Sequence, residues 1–101
     1  MYKWSRSALI AQGKAPEAME FATRVAGYVS ENYIPVQVGV ELAGQFGRIY
    51  WFSEPESAAQ WEQNNLALLT DEAFQKLVND AGDLFVAGET KDTLVMLMPG
   101  A

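Results

Sequence analysis

The chain has 101 residues, enough for one domain around a single core. Half of them are hydrophobic and a fifth are charged, which excludes a disordered chain. With 13 acidic residues against 7 scattered basic ones the net charge is −6, which argues against a nucleic-acid partner and against an anionic membrane surface.

Two residue types are missing altogether. Without cysteine there is no disulfide, no thiolate nucleophile and no zinc–thiolate site. Without histidine the commonest general base, the commonest metal ligand and a histidine-ligated haem are gone. No apolar run is long enough to span a bilayer. Met1 to Arg6 shows no apolar leader core, so a cytoplasmic protein is expected.

In chain order, Tyr2 to Ala11 reads as a strand with Trp4, Arg6, Ala8 and Ile10 on one face and Lys3, Ser5, Ser7 and Leu9 on the other. Gln12-Gly13-Lys14 turns the chain, and Pro16 with Glu17 opens a helix. Its stripe is Ala18, Ala22, Val25 and Val29, flanked by Phe21 and Ala26, and it ends near Ser30–Asn32 ahead of Pro35. A second strand follows, with Val36, Val38, Val40 and Leu42 on one face and Gln37, Gly39 and Glu41 on the other. The glycine-bounded loop Ala43–Gly47 leads into a third strand, Arg48 to Ser53, which is apolar on both faces.

Ser53-Glu54-Pro55-Glu56 has the form of a capping box, which predicts a helix starting directly after that strand and running to about Asn65. Thr70-Asp71-Glu72 restarts a helix with Thr70 as its cap and Phe74, Leu77, Val78 and Ala81 as its buried stripe. Gly82 ends it. Leu84 to Thr90 reads as a connection, Lys91-Asp92 as a turn, and Thr93 to Met98 as a last strand stopped by Pro99-Gly100. The order is therefore β-α-β-β-α-β with the second helix split. This is the ferredoxin-like α+β class: a four-stranded antiparallel sheet of order 4-1-3-2, helices on one face, residues 1–101 as one domain.

Two helices cover one face of such a sheet. The third and fourth strands still carry large apolar groups on the other face, and a contiguous patch of that kind marks an interface. A second copy of the same sheet is the simplest cover, because a two-fold axis matches a patch to itself. A homodimer burying about 800 Å² per partner is expected, the alternative being a monomer whose second face is covered by its own loop at 84–92.

The element order, the two-sided strands and the segment Gly47-Arg-Ile-Tyr-Trp-Phe-Ser, followed by a helix bearing Trp61 and by Leu69-Thr70-Asp71, resemble the dimeric α/β-barrel superfamily, in particular its NIPSNAP-like and antibiotic-biosynthesis-monooxygenase-like members. The resemblance implies two sheets packed face to face into a barrel and a pocket between each sheet and its helices. It also implies a range of activities, from cofactor-independent oxygenases and isomerases to haem proteins and sensor domains. Haem is not expected here, because the superfamily's haem-binding members use a histidine. No cofactor and no metal are expected: Glu54, Glu56 and Glu62 suit a helix N-terminus, and Asp80, Asp83, Glu89 and Asp92 lack the spacing of a calcium loop.

The candidate pocket residues are Arg6, Gln37, Glu41, Arg48, Tyr50, Trp51, Trp61 and Asn65. Arg6, Glu41 and Arg48 on one sheet face would make a charged cluster, in which arginine holds a carboxylate or phenolate and glutamate accepts a hydrogen bond or a proton. The alternative is an ion pair that sets strand register or dimer geometry. Trp51 in a strand and Trp61 in a covering helix would wall a cleft for an apolar or aromatic molecule, or simply pack the core. Asn64 and Asn65 stand nearby as donors. Three functions are compatible with this pattern: a small-molecule binder, a cofactor-independent monooxygenase or isomerase, and a structural dimerisation module.

Overall fold

Period-two alternation in the first strand sets the layout of the molecule. The computed structural model describes residues 1–99, so Gly100, expected to stop the last strand with Pro99, lies outside the described residues. Strand β1 (Tyr2–Leu9) pairs antiparallel with β3 (Arg48–Ser53) on one side and β4 (Lys91–Met96) on the other, and β2 (Gln37–Val40) pairs with β3. The resulting order, β2-β3-β1-β4, is the expected 4-1-3-2 read from the opposite edge. Helices α1 (Ala15–Asn32), α2 (Ala58–Leu69) and α3 (Glu72–Asn79) complete the ferredoxin-like α+β arrangement with its split second helix. Among the described residues no helix is long and apolar enough to cross a membrane.

The core lies between α1 and one face of the sheet. Ala18 and Ala22 are fully buried, and their small side chains let α1 approach Ala8, Ile49 and Trp51. The Trp51 indole Nε1 donates to the Ala22 carbonyl at 3.0 Å, so the bulkiest core side chain also has its polar atom satisfied. Phe85 completes the cluster, with ring centroids 5.7 Å from Phe21 and 6.1 Å from Trp51.

Four local expectations are corrected. Strand β2 is shorter than the alternation from Val36 to Leu42 suggested, and Leu42 sits in the loop, 91% exposed. The helix after β3 does not start at Ser53. Ser53 is still a strand residue paired with Trp4, and Pro55 is buried, so the chain runs on to Ser57, whose Oγ accepts from Gln60 N at 3.0 Å. Ser57-Ala-Ala-Gln60 has the sequence form of a capping box one turn downstream, although the Gln60 Oε1 accepts from Glu56 N at 2.5 Å, one residue before the cap. Thr70 closes α2 instead of opening α3. Asp71 caps α3, its Oδ1 accepting from Phe74 N at 3.0 Å. Lys91 and Asp92 are the first residues of β4, paired with Ser7 and Arg6, and not a turn.

Ile49 has no solvent exposure and sits at the centre of this core. Ile49→Ala is expected to lower unfolding free energy by about 3 kcal/mol through lost burial and a residual cavity. Urea unfolding followed by tryptophan fluorescence would read this as a lower midpoint at unchanged slope.

Candidate functional site

The helices do not close completely on the sheet. A cavity of about 240 Å³ lies between them, with β1 and β3 as its floor, α1 as one wall and α2 and α3 as the other. The floor supplies Trp4, Arg6, Ala8, Trp51 and Ser53. The wall opposite α1 supplies Trp61, Asn64, Asn65 and Leu68 from α2, and Phe74 and Val78 from α3. This lining follows from strand alternation. Trp4 and Ser53 are cross-strand partners, as are Arg6 and Trp51, so all four face the helices. Apolar carbon dominates the surface, and Arg6, Ser53, Asn64, Asn65 and Thr90 add polar groups.

Arg6 is already engaged. Its Nε donates to Asp92 Oδ1 at 2.7 Å and its Nη2 to Asp92 Oδ2 at 2.8 Å, a bidentate pair across the β1–β4 ladder. That hydrogen bond, with the attraction of the carboxylate, raises the guanidinium pKa further against the opposing effect of burial. The same guanidinium lies 5.6 Å from the centroid of the Trp4 ring. Two lining residues, Trp4 and Trp61, bury their indole N–H groups away from solvent without a hydrogen-bond partner among the described residues. An unsatisfied buried donor costs roughly 1–3 kcal/mol.

One end of the cavity is fastened by a tyrosine pair. Tyr28 Oη and Tyr33 Oη, from the last turns of α1 and its C-cap, both donate to Asp71 Oδ2, at 2.6 and 2.5 Å. Asp71 meanwhile caps α3, and Tyr28 stacks on Phe74 with centroids 6.4 Å apart. These bonds, Tyr28 first, then Tyr33 and the Phe74 amide, pull the Asp71 carboxyl down to about 2. Its negative oxygen in turn pushes Tyr28 up to about 12.

The remaining candidates lie elsewhere. Arg48, Tyr50 and Glu41 belong to the sheet face turned away from the helices, so the proposed cluster of Arg6 with Glu41 and Arg48 does not form. Arg48 is only 4% exposed and acts as a clamp. It donates to Gln45 Oε1 at 3.0 Å, Ser7 Oγ at 2.9 Å and the Glu89 carbonyl at 2.8 Å, tying the 84–90 connection to the sheet. Tyr50 Oη donates to Glu41 Oε1 at 2.5 Å, and Gln45 N donates to the other carboxylate oxygen of Glu41. The Tyr50 bond comes first in holding Glu41 below the usual carboxylate range. Gln37 lines a separate surface groove with Lys3, Phe52 and Glu54. Of the eight candidates, Arg6, Trp51, Trp61 and Asn65 thus share the cavity, and Gln37, Glu41, Arg48 and Tyr50 lie outside it. Trp4 was not among them, although its place two residues before Arg6 on the same strand face was the signal for it. Among the described residues no group of three metal-binding side chains converges.

No protein-family model matches the chain, and no curated protein matches it in sequence. Its fold has solved counterparts. An uncharacterized NIPSNAP domain protein from Burkholderia xenovorans superposes with a TM-score of 0.83 at 12% identity, over 100% of this chain and 98% of that one. A NIPSNAP family protein from Agrobacterium tumefaciens gives 0.77 at 12% identity, over 99% and 95%. An antibiotic biosynthesis monooxygenase gives 0.74 at 13% identity, over 98% and 100%. At these identities the likeness is one of fold, and it is the fold that the sequence resemblance implied.

Two outcomes test the roles of these groups. Arg48→Met removes three hydrogen bonds and strands Ser7 and Glu89. It should destabilise the fold by roughly 2–4 kcal/mol in chemical denaturation. Asp71 titrates lower in the folded chain than its ordinary 3.8, so its contribution to stability is complete above that value and is lost as pH falls towards about 2. Tyr28 titrates higher than its ordinary 10.0, so its share is lost as pH climbs from there towards about 12. Asp71→Asn keeps a helix cap but loses the charge. Its melting temperature should therefore fall less steeply than wild type on both limbs, read by thermal melts at fixed ionic strength.

Proposed function

We propose that the protein is a homodimer that binds an apolar or aromatic small molecule between its sheet and its helices. The observation that carries this reading is the 240 Å³ cavity walled by Trp51 and Trp61 with Arg6 on its floor. A core packed to ordinary density holds few voids larger than a water molecule, so a space of this size on the apolar side of a sheet suits a ligand.

The lining favours binding over catalysis. Among the described lining residues there is no carboxylate, imidazole, thiol, amine or phenol. A cofactor-independent monooxygenase or isomerase, the alternative suggested by the fold, needs a group to take a proton from its substrate. The one charged residue present, Arg6, is committed to Asp92.

The pairing rests on the opposite sheet face. Tyr50 and Phe52 stack there with centroids 5.6 Å apart and planes 2° from parallel. Phe52 is 41% exposed and Val95 46% exposed, and Phe46 in the β2–β3 loop is 90% exposed. A self-complementary contact through this face would bury them.

Naphthalene and indole serve as probes. Either is expected to raise the melting temperature of the wild-type protein in a concentration-dependent way. Trp61→Ala should weaken the interaction at least tenfold, beyond what the loss of this half-buried side chain costs the fold in the absence of probe. Wild-type melting that ignores both probes at saturating concentration would sink the binding reading. For assembly, light scattering at micromolar concentration should give the mass of two chains. Phe52→Glu should give the mass of one.

A further inference from the structure

Asp92 occupies one edge of the Arg6 guanidinium and leaves the other edge unused. We infer that this second edge anchors a carboxylate, and that the molecule held between sheet and helices is an aromatic carboxylic acid. This deepens the binding reading above and rests on it.

The placement follows from the shape of the group. A guanidinium is a rigid planar fork. Asp92 takes the edge formed by Nε and Nη2, at 2.7 and 2.8 Å. In a planar trigonal group the third nitrogen, Nη1, then points away from the carboxylate that spans the other two. Among the described residues Arg6 makes no hydrogen bond besides these two. Asp92 stands on β4 and is not part of the cavity lining, whereas Arg6 is. The side of Arg6 turned away from Asp92 is therefore the side that meets the cavity. At 38% exposure the side chain is open to an incoming molecule.

The group is also held still. Asp92 grips it at two points, and its central carbon lies 5.6 Å from the centroid of the Trp4 ring. An arginine oriented in advance has little side-chain entropy left to lose when a ligand arrives. Asp92 is in this sense the positioning residue for Arg6.

The chemistry of the lining selects the partner. Nη1 and the remaining hydrogen of Nη2 form a pair of parallel donors, which matches the two oxygens of a planar carboxylate. Arg6 is the only charged side chain among the described lining residues, so an anion meets one cation there and no competing carboxylate. The charge of Asp92 lies across the guanidinium, on a side chain 36% exposed, where water and salt screen it. Ser53, Asn64, Asn65 and Thr90 are neutral and can donate as well as accept, so none of them repels the acid. A ketone oxygen at the same edge brings no charge and gains less from it. The indole faces of Trp51 and Trp61 suit an aromatic body.

Equilibrium dialysis of the full chain against naphthalene, 2-acetylnaphthalene and 2-naphthoate tests the inference. The expected result is that 2-naphthoate binds at least tenfold more tightly than each of the other two. Arg6→Met should remove that preference and leave the affinity for naphthalene within threefold of wild type. Arg6→Lys keeps a cation beside Asp92 but lacks the fork. It should weaken 2-naphthoate at least threefold, and it decides the matter if Arg6→Met does not fold. Binding of 2-acetylnaphthalene as tight as that of 2-naphthoate would overturn the carboxylate. A preference for 2-naphthoate that survives Arg6→Met, or persists in full in Arg6→Lys, would overturn the Arg6 edge as its anchor. In each of those cases naphthalene still binds and the reading of a small-molecule binder stands. Failure of all three probes to bind removes both.

Discussion

The register between β1 and β3 is the constraint on which the rest of this structure depends. Arg6 stands opposite Trp51 and Leu9 opposite Arg48. Because successive side chains of a strand point to opposite faces, this pairing assigns every residue of both strands to a side at once. One side receives Trp4, Arg6, Ala8, Ile49, Trp51 and Ser53 and is roofed by helices. The other receives Ser7, Arg48, Tyr50 and Phe52. A slip by one residue would exchange the two sets, and a charged Arg48 would take the place of a fully buried Ile49 among the alanines of α1. Burial energy at Ile49 and Trp51 therefore enforces the register, and the register then positions the cavity floor.

That division explains which parts of the site could be read from residues alone. Alternation within a strand is local, so the shared face of Trp4, Arg6, Ala8 and Ile10, and that of Arg48 and Tyr50, are both legible in the sequence. The relation between faces of different strands is not local. It depends on loop length and register, which is why Arg6, Glu41 and Arg48 look like one cluster on paper and lie on opposite sides in the fold. Arg48 also shows why a buried charge is a poor guide to a ligand site. Its three hydrogen bonds run to Gln45 three residues earlier, Ser7 on the paired strand β1 and Glu89 in the connection at 84–90, a set that only the fold assembles.

Boundaries failed for a related reason. Ser53 and Ser57 both head a plausible capping box, and local chemistry does not choose between them. The choice is made by Ser53's pairing with Trp4 and by the burial of Pro55, both tertiary facts. Asp92 follows the same rule. Next to Lys91 it resembles a turn residue, yet opposite Arg6 its carboxylate completes a cross-strand ion pair, and the strand starts there instead. The overall class was legible because it rests on element order and on the count of two-sided strands, which no single boundary alters.

The cavity itself follows from how the split second helix is anchored. On the N-terminal side of α2 the chain is pinned by the buried ring of Pro55. On its C-terminal side it is pinned by Asp71, which two tyrosines of the α1 end hold by hydrogen bonds. Between those points the side chains of α2 are at most half-buried, so its middle is not drawn fully onto the sheet. Trp61 and Leu68 reach inward without closing the space, while α1, with alanines at its contact positions, sits down fully on Ile49 and Trp51. One helix packed by small side chains and another suspended between two fixed ends leave a wedge between them. The tryptophans, the asparagines and Arg6 line that wedge because the sheet register and the two anchors put them there.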